Sequence, residues 1–218
     1  MRKTLDYNSL RSFLLNFSNA IMEKKDYLTE LDAACGDGDF GVNMYLGFKR
    51  VYESIEKLNG NDVGNLFEIV GKTILSSVGG ASGPVFGILF IEAGKAVKGK
   101  NEVTLDELAT MFKNALEKIR LRGGAKVGDK TLIDALEPAV NALITASHKK
   151  EDIYTALKIA AESARVGSES TKNLVAKQGK ARYLGEQSIG HLDPGAEVIR
   201  ILFEELLVTY QSFCLKNN

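Results

Sequence analysis

Apolar residues return every three or four positions along almost the whole of this chain, and that period constrains its fold more than any other feature. Leu10, Phe13, Leu14, Phe17, Ile21 and Leu28 share one helical face, so a first helix is expected from about Tyr7 towards an acidic turn at 32–39. Met44, Phe48, Val51, Ile55 and Leu58 mark a second, and Val63, Leu66, Val70 and Ile74 a third. Val85, Ile88, Leu89 and Ala93 mark a fourth. Thr104 and Glu107 form a capping box ahead of a fifth, which carries Leu108, Met111, Phe112, Ala115 and Ile119. A sixth runs from about Thr131 to Ser147, with Pro138 expected to bend it. A seventh starts near Asp152 and continues past Gly167. Pro194 suits the first position of an eighth, which carries Val198, Ile199, Leu202, Leu206 and Tyr210. No segment of strand period is found. The expectation is an all-α, single-domain fold of eight helices over 1–218, antiparallel because the connections are short.

In an up-and-down array, alternate connections lie at the same end. The acidic turn, the run 79–84, the run 122–129 and the polar loop 177–195 occupy alternate connections, and all four are rich in glycine. They are expected at one end, the other end having plain polar turns. Glycine-rich loops, helix N-termini and a metal together describe a site for nucleotide phosphates.

The acidic turn, LDAACGDGDFGVNM, places Asp32, Asp37 and Asp39 within eight residues. Two carboxylates about 4 Å apart repel by roughly 1 kcal/mol in water and roughly 4 at an effective dielectric of 20, so their convergence implies a cation. Oxygen ligands favour Mg²⁺ or Ca²⁺ over Zn²⁺. A helix cap would need one acid, not three. The pattern G-x-G-x-x-G at 36–41 is not a dinucleotide fingerprint, because a helical period precedes it where a strand is required. An EF-hand counted from Asp37 places Val42 at the glycine position and Phe48 at the glutamate position. The helix N-terminus at Gly41 and Asn43 can receive phosphate oxygens.

The run GGASG at 79–83 fits either a phosphate-wrapping loop, with Ser82 as a hydroxyl donor, or a close helix crossing that admits only small residues. It is not a Walker A loop, since no Lys-Ser/Thr follows. Asp129 reads as an N-cap with Lys130 as a basic residue near the site. Lys177, Lys180 and Arg182 are cations suited to phosphate charge. His191 and His148 read as structural residues, and Cys35, among carboxylates, is given no catalytic role.

Lys+Arg and Asp+Glu balance at 28 each, which argues against nucleic acid or a membrane surface as partner. Two cysteines make no disulfide framework, no signal peptide is expected, and no apolar stretch is long enough to span a bilayer. A cytoplasmic location is expected.

The runs LDAACGDGDFGVNM, SSVGGASGP, GDKTLIDALEPA and KARYLGEQSIGHLDPGA, in this order, resemble the L-subunit family of dihydroxyacetone kinases (DhaL) over nearly the whole chain. The resemblance implies an eight-helix antiparallel barrel with ADP or ATP and two Mg²⁺ at one end. It implies that Asp32, Asp37 and Asp39 hold the metals and act through them. Phe40, Gly41, Asn43, Ala81 and Ser82 would then lie along the phosphates, with Gly123 and Leu132 in the adenine pocket. Lys180, at a position often Arg, and Asp193, Pro194 and Gly195 would close the site.

In the phosphotransferase-system branch the nucleotide stays bound. A phosphohistidine on an M subunit rephosphorylates it, and dihydroxyacetone sits on a K subunit. This chain has no room for a K domain, so another polypeptide is expected to present the substrate, and a homodimer is a further association the reading admits. Phe40 departs from the family, whose well-studied members have His there; Phe can neither donate a hydrogen bond nor carry a proton. The alternatives are a divergent paralogue using exchangeable ATP on another small hydroxylated substrate, and a non-catalytic nucleotide-loaded regulatory module. A barrel of apolar helices could also enclose a lipid.

Overall fold

The computed structural model describes residues 3–215. Its helices are α1 (Tyr7–Glu23), α2 (Lys25–Cys35), α3 (Phe40–Glu56), α4 (Val63–Ser77), α5 (Ser82–Lys95), α6 (Leu105–Gly123), α7 (Ile133–His148), α8 (Ile153–Ser170) and α9 (Pro194–Leu215). Each of α1, α3, α4, α5, α6, α7, α8 and α9 packs on the next, and α9 packs back on α1, which closes an eight-helix ring. The short α2 lies outside the ring sequence, against α3.

Neighbours run antiparallel. On α4, a Cβ at Gly64 would meet Gly94 O at 2.7 Å, and one at Gly71 would meet Gly87 O at 2.6 Å. Rising numbers on one helix thus face falling numbers on the other, and glycine alone permits so close a crossing.

The periodic apolar residues point inward. Phe13, Phe17, Phe48, Phe67 and Phe90 are all essentially inaccessible to solvent. Phe17 of α1 meets Phe48 of α3 edge-on at 5.1 Å and Phe90 of α5 at 6.2 Å, while Phe67 of α4 meets Phe90 at 6.1 Å. Aromatic rings from four helices therefore fill the barrel at this level, each contributing about 1.5–3 kcal/mol by burial. The capping box is present: Thr104 Oγ1 accepts from Glu107 N, and Glu107 Oε2 accepts from Thr104 N at 2.8 Å. No described helix is long and apolar enough to cross a membrane.

Several local expectations change. The first helix is two, broken at Lys24 (φ −91°, ψ 14°). The break lets α2 lie so close to the start of α3 that a Cβ at Gly41 would come within 2.2 Å of Lys25 O. Two three-residue strands, β1 (Thr4–Asp6) and β2 (Glu102–Thr104), pair antiparallel with Leu5 opposite Val103; they are too short to show a strand period. The loop at 177–195 contains 3₁₀ turns over Lys180–Ser188, interrupted where Gly185 takes φ 53°. Pro138 lies within a single helix, α7, and α8 does continue past Gly167, whose missing Cβ leaves room for Asp134 O.

Candidate functional site

The acidic turn is built by helix geometry and two glycines. Asp32 lies in the last turns of α2, Gly36 ends that helix, and α3 begins at Phe40. A side chain at position 36 would collide with Asp32 Oδ1, its Cβ only 2.3 Å away, and Gly38 turns the chain with φ 73°. One carboxylate oxygen from each of Asp32, Asp37 and Asp39 comes within 4.8 Å of the others. At that spacing each pair repels by about 3–4 kcal/mol at an effective dielectric of 20.

The protein supplies part of the compensation. The Phe40 N–H donates to Asp32 Oδ2 at 3.2 Å, and the Lys180 ammonium donates to Asp37 Oδ2. That contact holds the Asp37 carboxyl below the usual carboxylate range and raises Lys180. The donor set is three hard carboxylates with no imidazole among them, which fits Mg²⁺ and does not fit Zn²⁺.

These acids form one wall of a cavity of about 580 Å³ that takes in all four glycine-rich connections. Phe40, Ala81, Ser82, Gly123, Leu132, Lys180, Asp193, Pro194 and Gly195 line it along with the three acids. Gly41 and Asn43 do not. Gly41 is buried under α2, its missing Cβ taken up by Lys25 O and Thr29, while Asn43 sets its side chain against Gly79. Gly80 is left-handed (φ 66°) with open space beyond it, and Ala81 and Ser82 follow at the N-terminus of α5, which has no side-chain cap. The run 79–83 is thus open at Gly80 and tightly packed at Gly83, in the first turn of α5, where a Cβ would stand 2.2 Å from Val78 O; further close crossings lie at Gly64 and Gly71 on α4 and at Gly87 and Gly94 on α5.

On the far wall, Gly195 brings the start of α9 beside Leu132, where a Cβ would stand 3.4 Å from that of Leu132. Asp193 Oδ2 accepts from Ala196 N at 2.7 Å, and the Asp193 N–H donates to Thr171 Oγ1 at 2.9 Å. Burial pushes the Asp193 carboxyl up to about 7, Asp134 adds to the rise, and the Lys130 charge and the hydrogen bond from Ala196 oppose it.

Two readings of this region are corrected. Asp129 does not cap α7; it accepts from Lys126 N at 3.0 Å, while Asp134 takes the N–H groups of Gly128 (2.6 Å) and Thr131 (2.7 Å). Of the three cations in the last loop, only Lys180 reaches the acids. Lys177 braces Gly128 O and Asp129, and Arg182 stacks on Tyr183 at 4.8 Å. His191 is exposed and engages Lys130 through its carbonyl, in keeping with a structural role. The Cys35 thiol is buried on the cavity wall with its pKa raised by desolvation, so it is a poor nucleophile. Lys130 lines the cavity and is 3 % exposed, and Thr131 and Gln178 join it there. The sequence places Lys130 near the site as a basic residue, but nothing in the local pattern marks its burial or brings Thr131 and Gln178 to the cavity.

The model of one protein family, the DAK2 domain, matches residues 34–208. The chain is 38% identical over 203 residues to the ADP-binding subunit DhaL of the PEP-dependent dihydroxyacetone kinase of Escherichia coli K12, covering 93% of this chain and 97% of that one. It is 39% identical over 195 residues to the ADP-binding subunit DhaL of the PTS-dependent dihydroxyacetone kinase of Lactococcus lactis, covering 89% and 93%. Among solved structures it resembles the dihydroxyacetone kinase of C. freundii in complex with AMP-PNP and Mg²⁺, with a TM-score of 0.69 and 28% identity over 91% of this chain. The native form of that enzyme gives a TM-score of 0.72 at 26% identity. This chain spans about a third of that longer protein.

Proposed function

The chain belongs to the DAK2 domain family, and from that premise we propose that it is the ADP-binding phosphotransferase subunit of a dihydroxyacetone kinase, a single L-type nucleotide-binding kinase domain over 1–218 that works in the cytoplasm. The observation that carries the reading is the convergence of three carboxylates and four glycine-rich connections on one cavity. Its volume of about 580 Å³ is in the range of small-molecule sites.

Asp32, Asp37 and Asp39 are the residues that would hold two Mg²⁺, which when bound supply the charge neutralisation that phosphoryl transfer needs. The chain's own groups do the positioning. Phe40 closes the metal turn with an apolar, 9 % exposed side chain, and its N–H orients Asp32. Ala81 and Ser82 offer main-chain and hydroxyl donors at a helix N-terminus. Gly123 and Leu132 would line the adenine end, and Lys180 and Asp193 would close the site; all four line the cavity. Gly41 and Asn43, in the first turn of α3, would meet the phosphates beside the acids.

In the finer reading, a phosphohistidine-bearing M subunit and a dihydroxyacetone-binding K subunit engage the cavity end in turn, with bound ADP/ATP as the carrier between them. The test is mass spectrometry and absorbance of the protein as purified, with no nucleotide added. Stoichiometric ADP supports a resident cofactor. An empty site that binds ATP reversibly replaces this with exchangeable ATP and another small hydroxylated substrate, a reading that Phe40 in place of the family's His would favour. Nucleotide binding without transfer to any K partner would make the protein a regulatory module, and no nucleotide binding overturns the proposal.

A further inference from the structure

Lysine is seldom fully buried unless paired. Lys130 is 3 % exposed, and its ammonium donates to two main-chain carbonyls, Thr171 O and His191 O, rather than to a carboxylate. Thr171 follows the last turn of α8, so its carbonyl belongs to the negative end of that helix, where a cation is favoured. The Thr171 side chain takes part as well, since its hydroxyl accepts from Asp193 N at 2.9 Å and donates to Ser168 O at 2.6 Å. His191 precedes Asp193 by two residues. One ammonium therefore ties the loop before α7, the end of α8 and the segment before α9, which come from three distant parts of the chain.

The arrangement is held against local cost. Lys130 has φ 59°, a left-handed backbone that side-chain-bearing residues seldom adopt. Asp134 fixes it by accepting from N–H groups on both sides, those of Gly128 and Thr131. An ammonium has three donors. Two go to the carbonyls, and Lys130 itself lines the cavity.

We propose that Lys130 is a positioning residue for the bound nucleoside diphosphate: its ammonium clips the Thr171 and His191 carbonyls together and so fixes the walls at 131–132 and 193–195 against the ligand. This rests on the reading of the cavity as a nucleotide site. Charge-assisted hydrogen bonds of this kind are shorter and stronger than neutral ones, so the clip can hold a wall that main-chain contacts alone would leave loose.

The experiment compares the full chain with Lys130→Met and Lys130→Arg, titrating ADP calorimetrically in saturating Mg²⁺ from about pH 5 to about pH 9, and titrating Mn²⁺ alone as a probe of the acids. Lys130→Met is expected to weaken ADP by about 10- to 100-fold, the equivalent of one charge-assisted hydrogen bond. Mn²⁺ binding should not change, and Lys130→Arg, which keeps the charge but must seat a larger planar head, should lose less ADP affinity than Lys130→Met. The Lys130 charge holds the Asp193 carboxyl down, whereas Asp134 raises it, and Asp193 in turn raises the Cys35 thiol. The pH midpoint of ADP affinity should therefore move up in Lys130→Met and stay in Lys130→Arg, a response that a merely structural lysine would not give.

Parent-like ADP affinity and midpoint in Lys130→Met overturn the proposal while leaving the nucleotide site intact. Failure of the parent itself to bind ADP overturns both. If Lys130→Met does not fold, Thr171→Val carries the test. It keeps the carbonyl and the bulk but deletes the hydroxyl that passes the clip to Asp193, and it should weaken ADP about three- to tenfold. Unchanged affinity in that variant overturns the proposal.

Discussion

Replacing Gly41 by alanine tests the close passage of α2 over the start of α3, on which the acidic turn depends. A Cβ at this position would stand 2.2 Å from Lys25 O, 2.3 Å from Thr29 Oγ1 and 2.5 Å from Thr29 N. Two of these obstacles are backbone atoms, so no rotamer relieves the overlap, and the helices must part by about 1.2 Å to reach ordinary contact. Overpacking of this kind costs about 1–3 kcal/mol. The better helix propensity of alanine returns about 1 kcal/mol at most, and less in the first turn of a helix. The net loss is about 1–2 kcal/mol, and at about 2–4 °C per kcal/mol for a chain of this size the melting temperature falls by about 2–8 °C. Because α2 carries Asp32 and Asp39 immediately precedes α3, the same displacement spreads the triad now gathered within 4.8 Å. Mg²⁺-dependent ADP affinity should drop by about tenfold or more. Thermal melting followed by circular dichroism, with ADP calorimetry on the same samples, gives both readouts. A melting temperature equal to or above the parent's, with parent ADP affinity, would refute the reasoning.

Three other substitutions separate the parts of the site. Asp37→Ala should abolish Mg²⁺-dependent ADP retention while leaving helicity intact, since its exposed pair with Lys180 contributes little to stability; undiminished ADP binding would sink the metal assignment. Gly123→Ala meets no atom within 4 Å and needs no left-handed backbone, so stability should hold or rise by about 0.4–1 kcal/mol while ADP weakens. Parent-like ADP affinity there would remove Gly123 from the adenine recess. For Asp193 the folded carboxyl titrates at about 7 and the unfolded one at about 3.9, so the native state holds the extra proton between those values. Stability from this group is present at low pH and declines as pH rises from about 4 to about 7. Asp193→Asn should therefore gain on the parent between pH 4 and pH 8 in urea unfolding, and an identical parent-to-variant difference at both pH values would show that the carboxyl is not raised.

The ring of helices was legible because its signal is local and repeated. Phe13, Phe17, Met44, Phe48 and Val51 recur at helical spacing, and each is buried to within 1 %. The capping box at Thr104 needs only four consecutive residues and formed as read. The acidic turn was legible for a different reason: three carboxylates around glycines are costly without a purpose, and the structure brings their oxygens together. The break at Lys24 had no such mark, since no glycine or proline stands there; it follows from where α2 has to lie to meet Gly41.

The hidden part of the site is the part decided at long range. In sequence, Asp129 reads as the cap, and Lys130 reads only as a basic residue near the site. What distinguishes Asp134 is that the chain doubles back so that two N–H groups point at one carboxylate. What distinguishes Lys130 is the arrival of carbonyls from 41 and 61 residues away. A lysine that stays on the surface and one that ends up buried carry the same local signature, because burial of the ammonium is chosen by partners rather than by neighbours. The glycines of this chain divide in the same way. Gly38 and Gly80 serve left-handed turns that local chemistry foreshadows, whereas Gly41 and Gly71 are small only because another helix passes over them. Gly41 shows the second kind: its missing Cβ is required by the passage of α2 over it, which no local pattern announces.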